Sequence, residues 1–176
     1  MTGHKETSEK LNKTLLFIVT LLNDNNIDKW FVCYGTLLGL VRENSCIDND
    51  DDIDIIIEKG HFDLVKKILH ENGFCFEYDY LIGDSRKIIK TKATSVYTTI
   101  DIYMGEFKGE NVMDLWNILD IKDCFIDNEK KTLVERIWNG QKVYYPNNYE
   151  RILLNRYGST WKIKIDKKIE QTMTVL

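Results

Sequence analysis

Apolar positions along the chain change period several times, and each change marks an element. From about 8 to 22, Leu11, Leu15, Ile18, Val19 and Leu22 recur at helical spacing, with Thr7 or Ser8 available as the cap and an Asn-Asp-Asn-Asn run closing the stretch. Residues 30–34 form a short aromatic and β-branched run, which predicts a strand, and Gly35-Thr36 turns the chain into a helical piece over 37–42. A second strand is predicted over 53–57, after which Phe62, Val65, Ile68 and Leu69 mark a helix closed by Gly73. Phe74, Phe76 and Tyr78 then alternate with polar residues, a turn falls at 82–85, and the runs 86–91 and 95–104 predict consecutive strands. Val112, Leu115, Trp116 and Leu119 have the spacing of a short helix. Asn139-Gly140, between runs at 133–138 and 141–145, signals a tight hairpin, with a helical reading of 133–138 as its competitor. Asn147 can cap a last helix carrying Tyr149, Ile152, Leu153 and Tyr157, with Gly158 at its end.

Short strands interleaved with amphipathic helices predict an α/β (α+β) fold, a mixed sheet flanked by helices. At 176 residues, 43% hydrophobic and 30% charged, the chain can bury one real core, so a single domain over 1–176 is expected, with flexible ends at 1–7 and 162–176. A net charge of -4 gives no broad basic field, which argues against extended nucleic-acid binding and leaves small anionic substrates to local basic residues. Cys33, Cys46, Cys75 and Cys124 form no Cys-x-x-Cys pair and sit mostly in apolar segments, as reduced packing thiols do. The apolar run 14–22 is too short to span a bilayer and no small-residue cleavage site follows it, so a cytoplasmic protein without signal peptide or membrane span is expected.

Chemistry concentrates between Tyr34 and Ile57, where a glycine-led turn is followed by a dense acidic run. In a strand, side chains two apart point the same way, so Asp52 and Asp54 share one face while Ile53, Ile55 and Ile57 share the other. Five aspartates fall between Asp48 and Asp54, and their repulsion disfavours the folded chain unless a cation or water offsets it. Hard oxygen ligands without neighbouring Cys or His suit Mg or Mn. An EF-hand fits poorly, because a loop starting at Asp48 has Ile53 at the glycine position and Lys59 at the terminal glutamate position. Asp50 to Asp54 also contains the DDxxD pattern of terpene synthases, but those are all-helical and this run leads into Ile55-Ile56-Ile57. In the later predicted strand, Tyr97, Thr99, Asp101 and Tyr103 share a face, so Asp101 stands out as a lone acid.

A strand, Gly35-Thr36, Asp52-Ile53-Asp54 on the next strand and Asp101 on a later one resemble the pattern of the nucleotidyltransferase fold. More narrowly, YGTLLGLVR followed by DDDIDI is similar to the LicD family, which includes phosphorylcholine transferases and fukutin-related sugar-phosphate transferases. The closing YPNNYERILLNRYGSTW resembles that family's last motif, with Pro146, Tyr149, Tyr157, Gly158 and Trp161 in matching order. The family usually has Pro-Trp where Asp48-Asn49 stand here, and a small residue where Tyr34 stands.

This resemblance implies that Asp52, Asp54 and Asp101 are the metal and catalytic triad, with Mg (or Mn) as cofactor. It also implies a CDP-activated alcohol as donor and a glycan hydroxyl as acceptor. Two other readings use the same residues: transfer of a nucleoside monophosphate from a nucleoside triphosphate to a small-molecule or protein hydroxyl, and a non-catalytic binding module. Gly35 permits close backbone approach, and the amides opening the next helix, with the Thr36 hydroxyl, can bind phosphate; a plain turn is the alternative. Arg42 can pair with phosphate or with the acidic run. Lys90, Lys92 and Asp51 are weaker candidates, and Tyr149, Tyr157 and Trp161 suit core packing better than base stacking.

Overall fold

The computed structural model describes residues 5–78 and 85–164. Its elements in chain order are α1 (Ser8–Asp24), β1 (Trp30–Val32), α2 (Tyr34–Glu43), β2 (Asp52–Glu58), α3 (Phe62–Glu71), β3 (Ile88–Lys90), β4 (Thr99–Lys108), β5 (Asn111–Asp114), β6 (Leu119–Ile121), β7 (Val134–Trp138), β8 (Gln141–Tyr145) and α4 (Tyr149–Tyr157). One mixed sheet runs β1-β2-β4-β5-β6, and β3 pairs with β4. β2 and β4 are parallel, with Asp54 opposite Asp101 and Ile56 opposite Tyr103, whereas β1 is antiparallel to β2. The far edge of β4 is shared, its first half by β3 and its end by β5.

Each face of this sheet has its own apolar layer. Ile53, Ile55, Ile57, Ile100 and Ile102 pack against α1 and α3 through Leu11, Leu15, Ile18, Val65 and Leu69, all buried. Burial of each such side chain contributes about 1.5–3 kcal/mol. The opposite face gathers Phe31, Ile56, Ile88, Tyr103, Val112, Ile121 and Phe125, and it is this face that also carries the aspartates. β7 and β8 form a separate hairpin against α1 and β1, turned by Asn139 and Gly140 with φ of 46° and 78°. The hairpin reading of Asn-Gly therefore holds, because both residues tolerate the left-handed backbone of a primed turn.

Several expectations are corrected. Residues 111–121 are not helical: β4, β5 and β6 form a meander, and Asp114, fully buried, accepts the backbone N–H groups of Trp116 and Asn117 at 2.9 and 3.0 Å to close the β5–β6 turn. The helical spacing of Val112, Leu115, Trp116 and Leu119 arose from two turn residues, Leu115 and Trp116, flanked by one residue of each strand. α2 begins at Tyr34, three residues earlier than the sequence suggests, so Gly35 and Thr36 lie within its first turn rather than in a separate one. The predicted strand around Phe76 reduces to a single bridge with Thr91, and most of the turn placed at 82–85 lies outside the described residues. Within 1–7, Glu6 is buried and pairs with the acidic loop through Glu6 N–H to Asp50 O at 2.9 Å and Asn49 N–H to Glu6 O at 2.8 Å, while 1–4 lie outside the described residues. At the other end, Trp161 is buried in the core and Lys164 reaches Glu43, while 165–176 lie outside the described residues.

Candidate functional site

The parallel register of β2 and β4 sets Asp54 beside Asp101, and Asp52 lies two residues back on the same face. Carboxylate oxygens of Asp52, Asp54 and Asp101 lie within 4.8 Å of one another, and those of Asp50, Asp51 and Asp52 do the same. Asp52 and Asp54 come from β2 and Asp101 from β4, and hydrogen bonds hold Asp54 and Asp101. Asp54 is anchored on three sides: its N–H donates to the Thr36 hydroxyl at 2.9 Å, its carbonyl accepts from Cys33 N–H at 3.1 Å, and Oδ1 accepts from the Tyr103 hydroxyl at 2.9 Å. Asp101 accepts from Lys90 Nζ at 3.1 Å on Oδ2, while its Oδ1 is buried with no protein partner among the described residues.

Burial dominates the electrostatics. It pushes Asp52 up to about 9, with Asp54 and Asp101 adding repulsion. Asp54 is pushed up to about 8, again mainly by burial and against the hydrogen bond from Tyr103. Asp101 is raised as well, burial outweighing the Lys90 ammonium. For Lys90 the balance is reversed: burial works against its charge, but the Asp101 carboxylate prevails and the ammonium is held above its usual range. Three crowded acids and an unpartnered buried oxygen fit a hard divalent cation, which would satisfy the orphan oxygen and remove the repulsion together.

The cluster opens into an acidic cleft of about 470 Å³ whose walls include Gly35, Asp50, Asp51, Asp52, Asp54 and Tyr103. A Cβ on Gly35 would meet Asp50 Oδ2 at 2.6 Å, so its missing side chain is what lets the acidic loop close over the start of α2. Beside it lies a second, amphipathic cleft of about 660 Å³ between β1, the β5–β6 segment and α4. Tyr34 and Arg156 border both.

Other expected site residues are placed differently. Thr36 is buried with its hydroxyl engaged by the Asp54 amide, so it joins helix to strand rather than facing the cleft. Arg42 sits in the last turn of α2, forked onto Glu43 at 2.9 and 3.1 Å, and borders neither cleft. Lys90 is brought in through Asp101, whereas Lys92 is exposed, its N–H bound to Cys75 O. The chain order concealed Tyr103 as the hydroxyl on Asp54, although its shared face with Asp101 was a usable signal. Asp114, Asn117 and Arg156 gave none, because their positions depend on the β5–β6 turn and on which side of α4 packs inward.

Three similar solved structures are distant in sequence. The lincosamide antibiotic adenylyltransferase LnuA, solved with lincomycin bound, matches with a TM-score of 0.59 at 14% identity, covering 97% of this chain and 96% of that one. The antibiotic-resistance factor ANT(2'')-Ia matches at 0.55 and 11%, over 96% and 83%. An antigenic nucleotidyltransferase-like protein from Paracoccidioides brasiliensis matches at 0.52 and 15%, over 97% and 75%. No curated protein matches significantly in sequence. The fold is thus that of the nucleotidyltransferases. Residues 26–149 match the family described as LicD/FKTN/FKRP, nucleotidyltransferase domain, and the chain belongs to that family. It is accordingly a transferase of nucleotide or phosphate groups.

Proposed function

We propose that the protein transfers a phospho-alcohol, phosphocholine or a sugar-alcohol phosphate, from a CDP-activated donor to a glycan hydroxyl. The observation that carries this reading is the Asp52, Asp54 and Asp101 group, largely buried and converging from two parallel strands, with Asp101 Oδ1 left without a hydrogen-bond partner among the described residues. Membership of the LicD/FKTN/FKRP family supports a donor of this class. Asp52 and Asp54 would hold Mg or Mn, with Asp101 completing the set and Asp51 adding charge at the rim. When bound, the cation neutralises pyrophosphate oxygens and stabilises charge developing during transfer.

In the reaction, the acceptor oxygen forms a bond to the phosphorus bearing the alcohol, and the bond from that phosphorus to the bridging oxygen breaks. CMP leaves with the bridging oxygen and its electron pair. The hydroxyl proton passes to a carboxylate, and Asp101, facing the cluster from the neighbouring parallel strand, is the proposed acceptor. Tyr103 and Thr36 fix the position of Asp54, and Gly35 leaves room for the acidic loop. The α2 amides beside Gly35 are the proposed phosphate contacts.

The second reading, transfer of a nucleoside monophosphate from a triphosphate, draws support from the near end-to-end fold match with the lincosamide antibiotic adenylyltransferase. It differs in which phosphorus is attacked, the α-phosphorus, and in releasing pyrophosphate. Mass analysis of products from CDP-choline, CDP-ribitol and nucleoside triphosphates with candidate acceptors separates the two. CMP release with a phospho-alcohol adduct establishes the first, and pyrophosphate release with a nucleotidyl adduct establishes the second. Neither product, together with no cation response, would leave a non-catalytic module.

A further inference from the structure

Among the described residues, the acidic cleft is bordered by Asp48, Asp50, Asp51, Asp52 and Asp54 but by a single cationic side chain, Arg156. An anionic donor entering such a cleft meets repulsion that a cation on the aspartates offsets only on its own side. Arg156 stands on the other side. It projects from α4, is exposed, and also borders the amphipathic cleft, so one guanidinium faces both chambers. Among the described residues it has no carboxylate within ion-pair distance.

Its placement is built. The guanidinium carbon lies 4.4 Å from the centroid of the Tyr34 ring, a cation–π contact that, with a hydrogen bond to the neighbouring Tyr157 hydroxyl, orients the group. Tyr34 is itself fixed. Its φ is 50°, unusual for an aromatic residue, its hydroxyl donates to the buried Asp114 at 2.5 Å, and Asn117 Nδ2 donates to the same carboxylate at 2.8 Å. The ring meets Tyr103 edge-on at 5.4 Å, and Tyr103 holds Asp54. A continuous set of contacts thus links the platform under Arg156 to the aspartate cluster.

We propose that Arg156, stacked on Tyr34 at the lip shared by both clefts, binds a phosphate of the nucleotide donor and spans it between the amphipathic cleft and the aspartate cluster. The proposal rests on the nucleotide-donor reading above. Arg156 contacts substrate, whereas Tyr34 and Asp114 are positioning residues that act through it. The amphipathic cleft, with apolar Phe31, Leu37 and Ile152 and the amides of Asn148 and Asn155, then takes the uncharged nucleoside portion.

Calorimetric titration with CDP, CMP and cytidine, each in the presence of Mg, tests this on the wild type and on Arg156→Met, Arg156→Lys and Tyr34→Leu. Arg156→Met should weaken CMP about tenfold to a hundredfold, the range of a charge-assisted hydrogen-bonded pair, and leave cytidine unchanged. Arg156→Lys should recover only part of the loss, since an ammonium neither stacks nor forks. Tyr34→Leu should mimic Arg156→Met; should it fail to fold, Asp114→Asn, which weakens the hold on the Tyr34 hydroxyl, should show a smaller loss in the same direction. Wild-type affinity for CMP in Arg156→Met, or an equal loss of CMP and cytidine, overturns the proposal while the donor reading stands. If the wild type binds neither CDP nor CMP, the donor reading falls and the proposal with it.

Discussion

At the scale of single residues, the site is defined by acids that the fold holds at unfavourable proximity. Asp52 and Asp54 have folded pKa values near 9 and 8, above the ordinary 3.8, so between these limits the folded chain binds more protons than the unfolded one. The stability they contribute is present at low pH and is lost as pH rises through that window. The chelated protein should therefore show a melting temperature that declines from mildly acid to mildly alkaline pH, and Mg or Mn should flatten the decline. Asp54→Asn removes one ligand and, above the Asp54 pKa of about 8, one repelling charge. Its metal-free form should melt at or above the metal-free wild type while losing most of the cation response, which for the wild type amounts to about 2.7 kcal/mol at a hundredfold excess over Kd. Thermal scans with chelator and with Mg plus CDP measure both effects; an intact cation shift in Asp54→Asn would make the acidic run structural. In turnover assays Asp52→Asn, Asp54→Asn and Asp101→Asn should each cost orders of magnitude without unfolding the protein.

At the scale of elements, the helix that follows β1 is what aligns the acids. Thr36 on α2 accepts the amide proton of Asp54 on β2, a buried bond between consecutive elements. Thr36→Val keeps the shape but orphans that N–H, which should cost about 1–3 kcal/mol in denaturant titration and lower turnover, while Thr36→Ser should restore both. Gly35→Ala acts otherwise: its new Cβ need displace only the end of the Asp50 side chain, so melting should change little while activity falls. Equal loss of both would assign Gly35 to a plain helix start. Much of this level was legible beforehand. The alternation of aspartate and isoleucine on β2 gave the faces correctly because a strand has period two and one face had to be buried. The extent of α2 was not legible, because Tyr34 enters it with positive φ and no sequence rule assigns that backbone to an aromatic residue. Residues 111–121 misled for a related reason: the turn is closed by Asp114, whose burial depends on Tyr34 from a distant element.

At the scale of the molecule, the two apolar layers divide labour. The layer under α1 and α3 carries most of the aliphatic core, and the layer on the aspartate face surrounds the polar groups. Among the described residues no helix is long and apolar enough to cross a membrane. The hairpin of β7 and β8 belongs to the supporting side, and Gly140, with φ of 78°, serves its turn alone. Gly140→Ala should lower stability by about 1 kcal/mol and leave kcat and KM unchanged, a control that separates global destabilisation from damage to the site. The parallel pairing of β2 with β4 has a consequence in time. Tyr103 and Asp54 are 49 positions apart in sequence, and the strands meet only after α3 and β3 have been made. During synthesis the early acids wait in water at no cost, and their repulsion arises at the moment β4 docks. That docking is non-local and hence slow. Dissolved cation present at that moment should speed refolding, whereas cation added later should only slow unfolding. Stopped-flow refolding with Mg supplied before or after collapse distinguishes a metal that helps assemble its own site from one that enters a finished one.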